Sequence, residues 1–193
     1  MKVVLATANP DKAKEIQAIL GSSFDLVPRP ADVPDVEETG DTLEENARLK
    51  AVALVEATGL PAISDDTGLE VEALGGAPGV YSARYAGDDA TYESNCSKLL
   101  RELEGVAAGE RRARFRTVAF FRAPDGREVV AEGIVDGVIT SEPRGDNGFG
   151  YDPVFVPDDD PSGRTFAEMG ADKHAISHRG RAFRRLAELL GAG

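Results

Sequence analysis

The sequence predicts an α/β fold around one sizeable sheet that is antiparallel in part. Three observations predict it. Residues 2–6, KVVLA, form a short apolar run that the polar turn TANPDK joins to a helix-patterned segment. Two long strand-like runs, ARFRTVAFFR and REVVAEGIVDGVIT, flank Pro124-Asp125-Gly126, a strong hairpin signal. Two further segments carry capping residues and an apolar stripe at helical spacing.

Taken in order, KVVLA reads as a buried strand. Asn9 is a natural N-cap and Pro10 suits the first turn of the helix that follows. Ala13, Ile16, Ile19 and Leu20 share one face of that helix, and Gly21 ends it. FDLVP at 24–28 is a candidate second strand. A Pro-rich acidic stretch, 29–41, closes on Glu37-Glu38-Thr39-Gly40-Asp41. Thr42 and Glu45 then have capping-box spacing for a helix reaching Thr58, with Leu43, Ala47, Ala51, Leu54 and Val55 as its apolar stripe. Gly59 and Pro61 stop it. LPAIS and GLEVEAL read as strands on either side of Ser64-Asp65-Asp66-Thr67-Gly68. GGAPG at 75–79 is a tight loop, and 91–104 a helix through Leu99, Leu100 and Leu103. After the hairpin, PRGDNGFGYDPVF is a Gly-rich loop running into a short strand, and DDDPSG at 158–163 a solvated loop. The last helix covers 177–190, with Ser177 as N-cap and Phe183, Leu186, Leu189 and Leu190 inward. No repeat or linker interrupts the chain, so residues 1–193 are expected to be a single domain.

Composition narrows the function. Hydrophobic residues make up 41% and charged residues 29% of the 193, as in a soluble globular protein. The apolar run near the N-terminus is too short for a signal peptide or a membrane span. The single cysteine, Cys96, has no disulfide partner, which fits the cytoplasm, and reads as a packing residue. The net charge of −12 repels nucleic-acid polymers and anionic membranes. A small anionic ligand remains compatible if it meets local cations or a metal ion. With two histidines in the chain, His174 and His178, no zinc spacing exists.

Five stretches carry chemistry. TANPDK, Thr7 to Lys12, presents helix N-terminal N–H groups and a lysine charge, a recipe for holding phosphate oxygens; an ordinary capped helix with a surface lysine has the same pattern. In SDDTG, adjacent side chains on a strand point to opposite faces, so Asp65 and Asp66 have different jobs, one bonded into the scaffold; an Asx-type turn between two strands also suits the residues. The Glu37-Glu38 pair either complements a helix dipole or supplies a carboxylate for a divalent ion. In GDNGFGYD, Phe149 or Tyr151 can stack on a planar base, or the stretch is a glycine-rich turn with aromatics in the core. Lys173, His178 and Arg179 lie before and on the last helix, either as anion ligands or as exposed basic residues.

The combination TANPDK, EETGDTLEENARLKA, SDDTGLEVEALGGAPGVYSARYAG, GDNGFGYDPVF and DKHAISHRGRA resembles the inosine triphosphate pyrophosphatase family, in the family's order over nearly the whole chain. The resemblance implies hydrolysis of dITP, ITP and XTP to the monophosphate and pyrophosphate with Mg2+. It implies an elongated two-lobed α/β fold around a central mixed sheet, an active-site cleft between the lobes, and a homodimer. Thr7, Ala8, Asn9, Pro10, Asp11 and Lys12 would line the triphosphate site, with Asn46 and Lys50 near it. Glu38 and Asp66 match the magnesium positions. Asp66 also matches the proton acceptor that activates water, and Thr67 a substrate contact. Phe149, Gly150, Tyr151 and Asp152 match the base-recognition loop, and Lys173, His178 and Arg179 further substrate contacts. Ala8 stands where many members have glycine, which a tight loop tolerates if its φ is negative. A Maf-like pyrophosphatase and a non-catalytic nucleotide-binding protein are the competing readings.

Overall fold

Strand β1, Lys2–Leu5, hydrogen-bonds in parallel to β2, Asp25–Val27, on one side and to the start of β3, Ala62–Val71, on the other. A parallel pair needs a crossover, and the predicted helices supply it: α1, Pro10–Leu20, between β1 and β2, and α2, Leu43–Thr58, between β2 and β3. Described here from a computed structural model covering residues 1–21 and 23–191, the chain is a mixed α/β fold. The strand order is β2-β1-β3-β5-β6-β7, with a short β4, Pro78–Gly79, antiparallel to β3. Strands β5, Arg112–Arg122, and β6, Glu128–Ile139, are the predicted hairpin, and β7, Phe155–Pro157, pairs antiparallel with β6. Helix α3 spans Tyr92–Glu102; α4, Phe166–Met169, and α5, Lys173–Ile176, are single turns the sequence reading missed; α6 spans His178–Leu189.

The caps form as expected. Asn9 accepts from the N–H groups of Asp11 and Lys12; Thr42 and Glu45 complete a capping box; Ser177 accepts from Gly180 N–H. Gly59 ends α2 in the left-handed region at φ 67°, whereas Gly21 after α1 stays right-handed. Leu189, expected inward, is 43% exposed, beside the stripe of Phe183, Leu186 and Leu190 that packs on the core.

The chain divides into two compact units. The first comprises Met1–Asp66, Thr117–Gly133 and Ser177–Gly193; the second, Thr67–Arg116 and Ile134–Ile176. Each has its own core. In the first, Val3, Leu5 and Ile63 pack with Ile16 and Leu20 of α1 and with Phe183 and Leu186 of α6. In the second, Leu99 and Leu103 pack with Val135, Val154 and a ring cluster of Phe115, Phe155 and Phe166. Gly133 sets how close α6 comes to β6. A Cβ there would stand 2.5 Å from the Ala182 nitrogen and 2.9 Å from Arg181 Cβ, so only glycine admits this approach.

Candidate active site

Ser64-Asp65-Asp66-Thr67-Gly68 is neither a turn nor a strand end. It lies inside β3, which runs unbroken from Ala62 to Val71 and joins the two pieces expected to be separate strands. The pleat therefore sends Asp65 and Asp66 to opposite faces, and both are buried, at 1% and 5% exposure. Burying two adjacent carboxylates is costly unless each finds its own partners, and each does. Lys12 Nζ lies 3.3 Å from Asp65 Oδ2, and Arg179 reaches the same oxygen through Nε and Nη2, both at 3.3 Å. Arg179 Nη1 donates to Glu15 Oε2 at 2.5 Å. On the other face, Lys50 Nζ donates to Asp66 Oδ1 at 3.2 Å and to Glu38 Oε1 at 2.8 Å, and Asn46 Nδ2 donates to Asp66 Oδ2 at 3.4 Å.

These contacts set the electrostatics. Burial alone would raise the Asp65 carboxyl, but Lys12 and Arg179 overcome it and hold Asp65 far below the ordinary carboxylate range. Asp66 goes the other way: burial raises it, aided by Glu38 and Asp65, and Lys50 and Lys12 only partly offset that. Burial also lowers Lys12, helped by the nearby Lys50 and Arg179 charges. For Lys50, burial opposes the charge, yet Asp66 and Glu38 outweigh it and raise the ammonium. Asp65 is thus an anchor that stays charged well into the acid range. Asp66 is the carboxyl with the greater proton affinity.

Some anion-binding readings need correction. Part of the N–H set expected to cradle phosphate has partners inside the loop: Asn9 N–H donates to Thr7 Oγ1 and those of Asp11 and Lys12 to Asn9 Oδ1, and the next one, on Ala13, donates to Asn9 O. Pro10 has none to give. Ala8 meets the negative-φ condition, since among the described residues no non-glycine has positive φ. Lys173, His178 and Arg179 are not exposed surface bases but are each 2% exposed, with different partners. His178 Nδ1 shares a 2.7 Å hydrogen bond with Thr117 Oγ1, and Lys173 Nζ donates to Asp152 Oδ2 at 2.6 Å.

Within the second unit the glycine-rich stretch is built around Asp152. Its Oδ2 also accepts from Phe149 N–H at 2.9 Å, and a Cβ on Gly148 (φ +73°) would collide with that carboxylate. Gly150, at φ +63°, accepts from Cys96 Sγ through its carbonyl at 3.2 Å. Burial pushes the Cys96 thiol up to about 11, consistent with a packing residue. The two aromatics separate in role. Tyr151 belongs to the core, and its hydroxyl donates to Ser82 O at 2.9 Å. Phe149 is half-buried, with its ring centroid 5.6 Å from that of Tyr92 and the Lys173 ammonium 5.3 Å from it. Thr67 follows Asp66 on β3 and is half-buried.

Residues 3–189 fit the model of the Ham1 family. The chain belongs to the Ham1 family. A Ham1 protein from Coxiella burnetii is similar in structure, with a TM-score of 0.87, 42% identity and full coverage of both chains. The Staphylococcus aureus Ham1 protein gives 0.85 at 40% identity, covering 99% of this chain and 98% of its own. Among curated relatives, a protein of Nitratidesulfovibrio vulgaris named dITP/XTP pyrophosphatase is 51% identical over 98% of this chain and 96% of its own. One of the same name from Streptomyces avermitilis is 49% identical over 98% and 99%. Glu15 and Thr117, partners of Arg179 and His178 in this Ham1 chain, escaped the sequence reading. No local pattern marks a glutamate whose partner is 164 residues away.

Proposed function

We propose that this chain is a nucleoside-triphosphate pyrophosphatase that hydrolyses dITP, ITP and XTP to the monophosphate and pyrophosphate, removing deaminated purines from the nucleotide pool. The observation that carries the reading is the pair Glu38 and Asp66, brought together from a loop and a buried strand onto one cation, Lys50 Nζ. The shared name of full-length relatives supports the substrate class. Residues 1–193 are read as one pyrophosphatase domain, because those relatives match along nearly their whole lengths.

The donor set fits a magnesium ion. Glu38 and Asp66 converge on a position that accepts positive charge, and Glu38 raises the cost of ionising Asp66. Magnesium needs only one or two carboxylates beside water and substrate phosphates. Glu38 and Asp66 would hold the ion, whose charge, when bound, offsets that of the phosphate oxygens and of the pyrophosphate leaving group.

Asp66 accepts the proton of the water that attacks the α-phosphorus. Lys12, Lys50 and Arg179 place positive charge where the triphosphate carries negative charge. Asp65 keeps Lys12 and Arg179 in place without titrating. For the purine, Phe149 offers the ring to stack on, while Asp152 and Lys173 hold its loop. A donor facing the six-position would donate to the keto oxygen of hypoxanthine or xanthine, whereas in adenine it would face another donor and leave a buried polar group unmet. Guanine shares that keto oxygen, so its exclusion requires its two-amino group to meet a clash or an unmet acceptor.

The setting proposed is a cytoplasmic homodimer acting on small nucleotides, apart from nucleic-acid polymers and membranes. The net charge of −12 disfavours nucleic-acid polymers and anionic membranes as partners; among the described residues no helix is long and apolar enough to cross a membrane. The test is ion-exchange analysis of products from dITP, ITP, XTP, GTP and ATP, with and without magnesium. Magnesium-dependent monophosphate and pyrophosphate from the keto purines, with GTP and ATP spared, is the expected result. Diphosphate and free phosphate would overturn the position of attack. Absence of turnover would favour a nucleotide-binding protein.

A further inference from the structure

The loop that carries Glu38 and the strand that carries Asp66 meet on one side chain. Asn46, on the second turn of α2, is fully buried. Its Oδ1 accepts from Gly40 N–H at 2.8 Å, and its Nδ2 donates to Asp66 Oδ2 at 3.4 Å. The amide can be oriented in only one way. Gly40 N–H donates and so must face the oxygen, which turns the NH2 group toward the carboxylate. The loop is shaped for this contact. A Cβ on Gly40 would stand 2.8 Å from Asn46 Oδ1 and 2.6 Å from Glu45 Cβ. Beyond Gly40, Glu45 Oε2 accepts from Asp41 N–H at 2.8 Å and Thr42 N–H at 3.0 Å, so the end of the loop is clipped to the same helix.

Given the role proposed above for Asp66, we infer that Asn46 is a positioning residue: one amide holds the Glu38 loop through Gly40 and fixes the Oδ2 oxygen of Asp66, so that both carboxylates keep one register. Lys50 already occupies Oδ1. Asn46 therefore controls the other oxygen, and its neutral donor steadies Asp66 without adding a second full charge beside it. Asn46 acts through Asp66 and the loop rather than by touching the nucleotide. Leucine is close to it in size but would leave both Gly40 N–H and Asp66 Oδ2 unmet.

The experiment compares wild type, Asn46→Ala, Asn46→Asp and Gly40→Ala, with XTP as substrate, measuring kcat and KM, and thermal midpoints as a check on folding. Asn46→Ala is expected to lower kcat about tenfold or more, the loss of one hydrogen bond to a charged group, while KM stays within about threefold. Asn46→Asp keeps the acceptor for Gly40 N–H but sets an anion against Asp66, so it is expected to do no better than alanine. Gly40→Ala should lower kcat in the same way. An Asn46→Asp enzyme restored to near wild-type kcat would overturn the inference, since the loop contact alone would then suffice. A raised KM at unchanged kcat would also overturn it, by showing direct contact with the nucleotide. Should Asn46→Ala not fold, Asn46→Asp against wild type decides on the same criteria. No turnover of XTP by the wild type would instead defeat the proposed function, and the inference with it.

Discussion

Asp65 and Asp66 are consecutive on β3 and are held by different cations, Asp65 by Lys12 and Arg179, Asp66 by Lys50. The strand pleat makes the separation, and the separation divides the labour. Three bonds hold Asp65 to two cations, whereas Asp66 keeps a raised proton affinity beside Glu38.

Neutralising the two aspartates should therefore have different effects. Asp66→Asn is expected to lower kcat by about a hundredfold or more, the scale of general-base catalysis, with little change in thermal midpoint. Asp65→Asn should mainly destabilise, because Lys12 and Arg179 lose their shared anion. Steady-state kinetics and thermal melts on both proteins check this. Near-normal turnover by Asp66→Asn would remove the proposed role.

The Asp65 anchor also predicts a pH dependence. Its folded pKa is depressed, so its stabilisation is fully present above the unfolded value of about 3.9 and fades as pH falls toward the folded one. The urea midpoint of the wild type should exceed that of Asp65→Asn at pH 7. The gap should narrow on acidification below about pH 4. A constant gap would show that Asp65 contributes by packing alone.

Arg179 is fully buried between Asp65 and Glu15. Removing one partner of a buried ion pair leaves uncompensated charge and costs about 3–5 kcal/mol. Arg179→Met should lose stability on that scale by urea denaturation. Adding Glu15→Gln should recover part of it, because one stranded charge is then gone.

The aromatics of the glycine-rich loop should behave unlike each other. Phe149→Ala is expected to raise KM for XTP while the fold persists, as for a ring that stacks on a base. Tyr151→Phe should leave KM alone and cost about 1 kcal/mol, one buried hydrogen bond to Ser82 O. Kinetics and chemical denaturation of the two variants separate these effects.

Local chemistry is legible along the chain. Asn9, Thr42 and Ser177 cap their helices because a side-chain oxygen beside an unsatisfied helix N–H needs only near neighbours. The hairpin about Pro124-Asp125-Gly126, and the opposite facing of Asp65 and Asp66, likewise follow from turn geometry and from the two-residue period of a strand. Tertiary structure decided what local pattern leaves open. It threaded Asp65 and Asp66 through the middle of a strand instead of a turn, buried Lys173, His178 and Arg179 where the sequence also allows surface exposure, and sent Tyr151 to the core while Phe149 stayed half-buried. It also brought Glu15 to Arg179 and Asn46 to Asp66. The reason is the same in each case: a buried charge or amide is tolerable only where a partner meets it, and the fold supplies those partners from segments far away in the sequence.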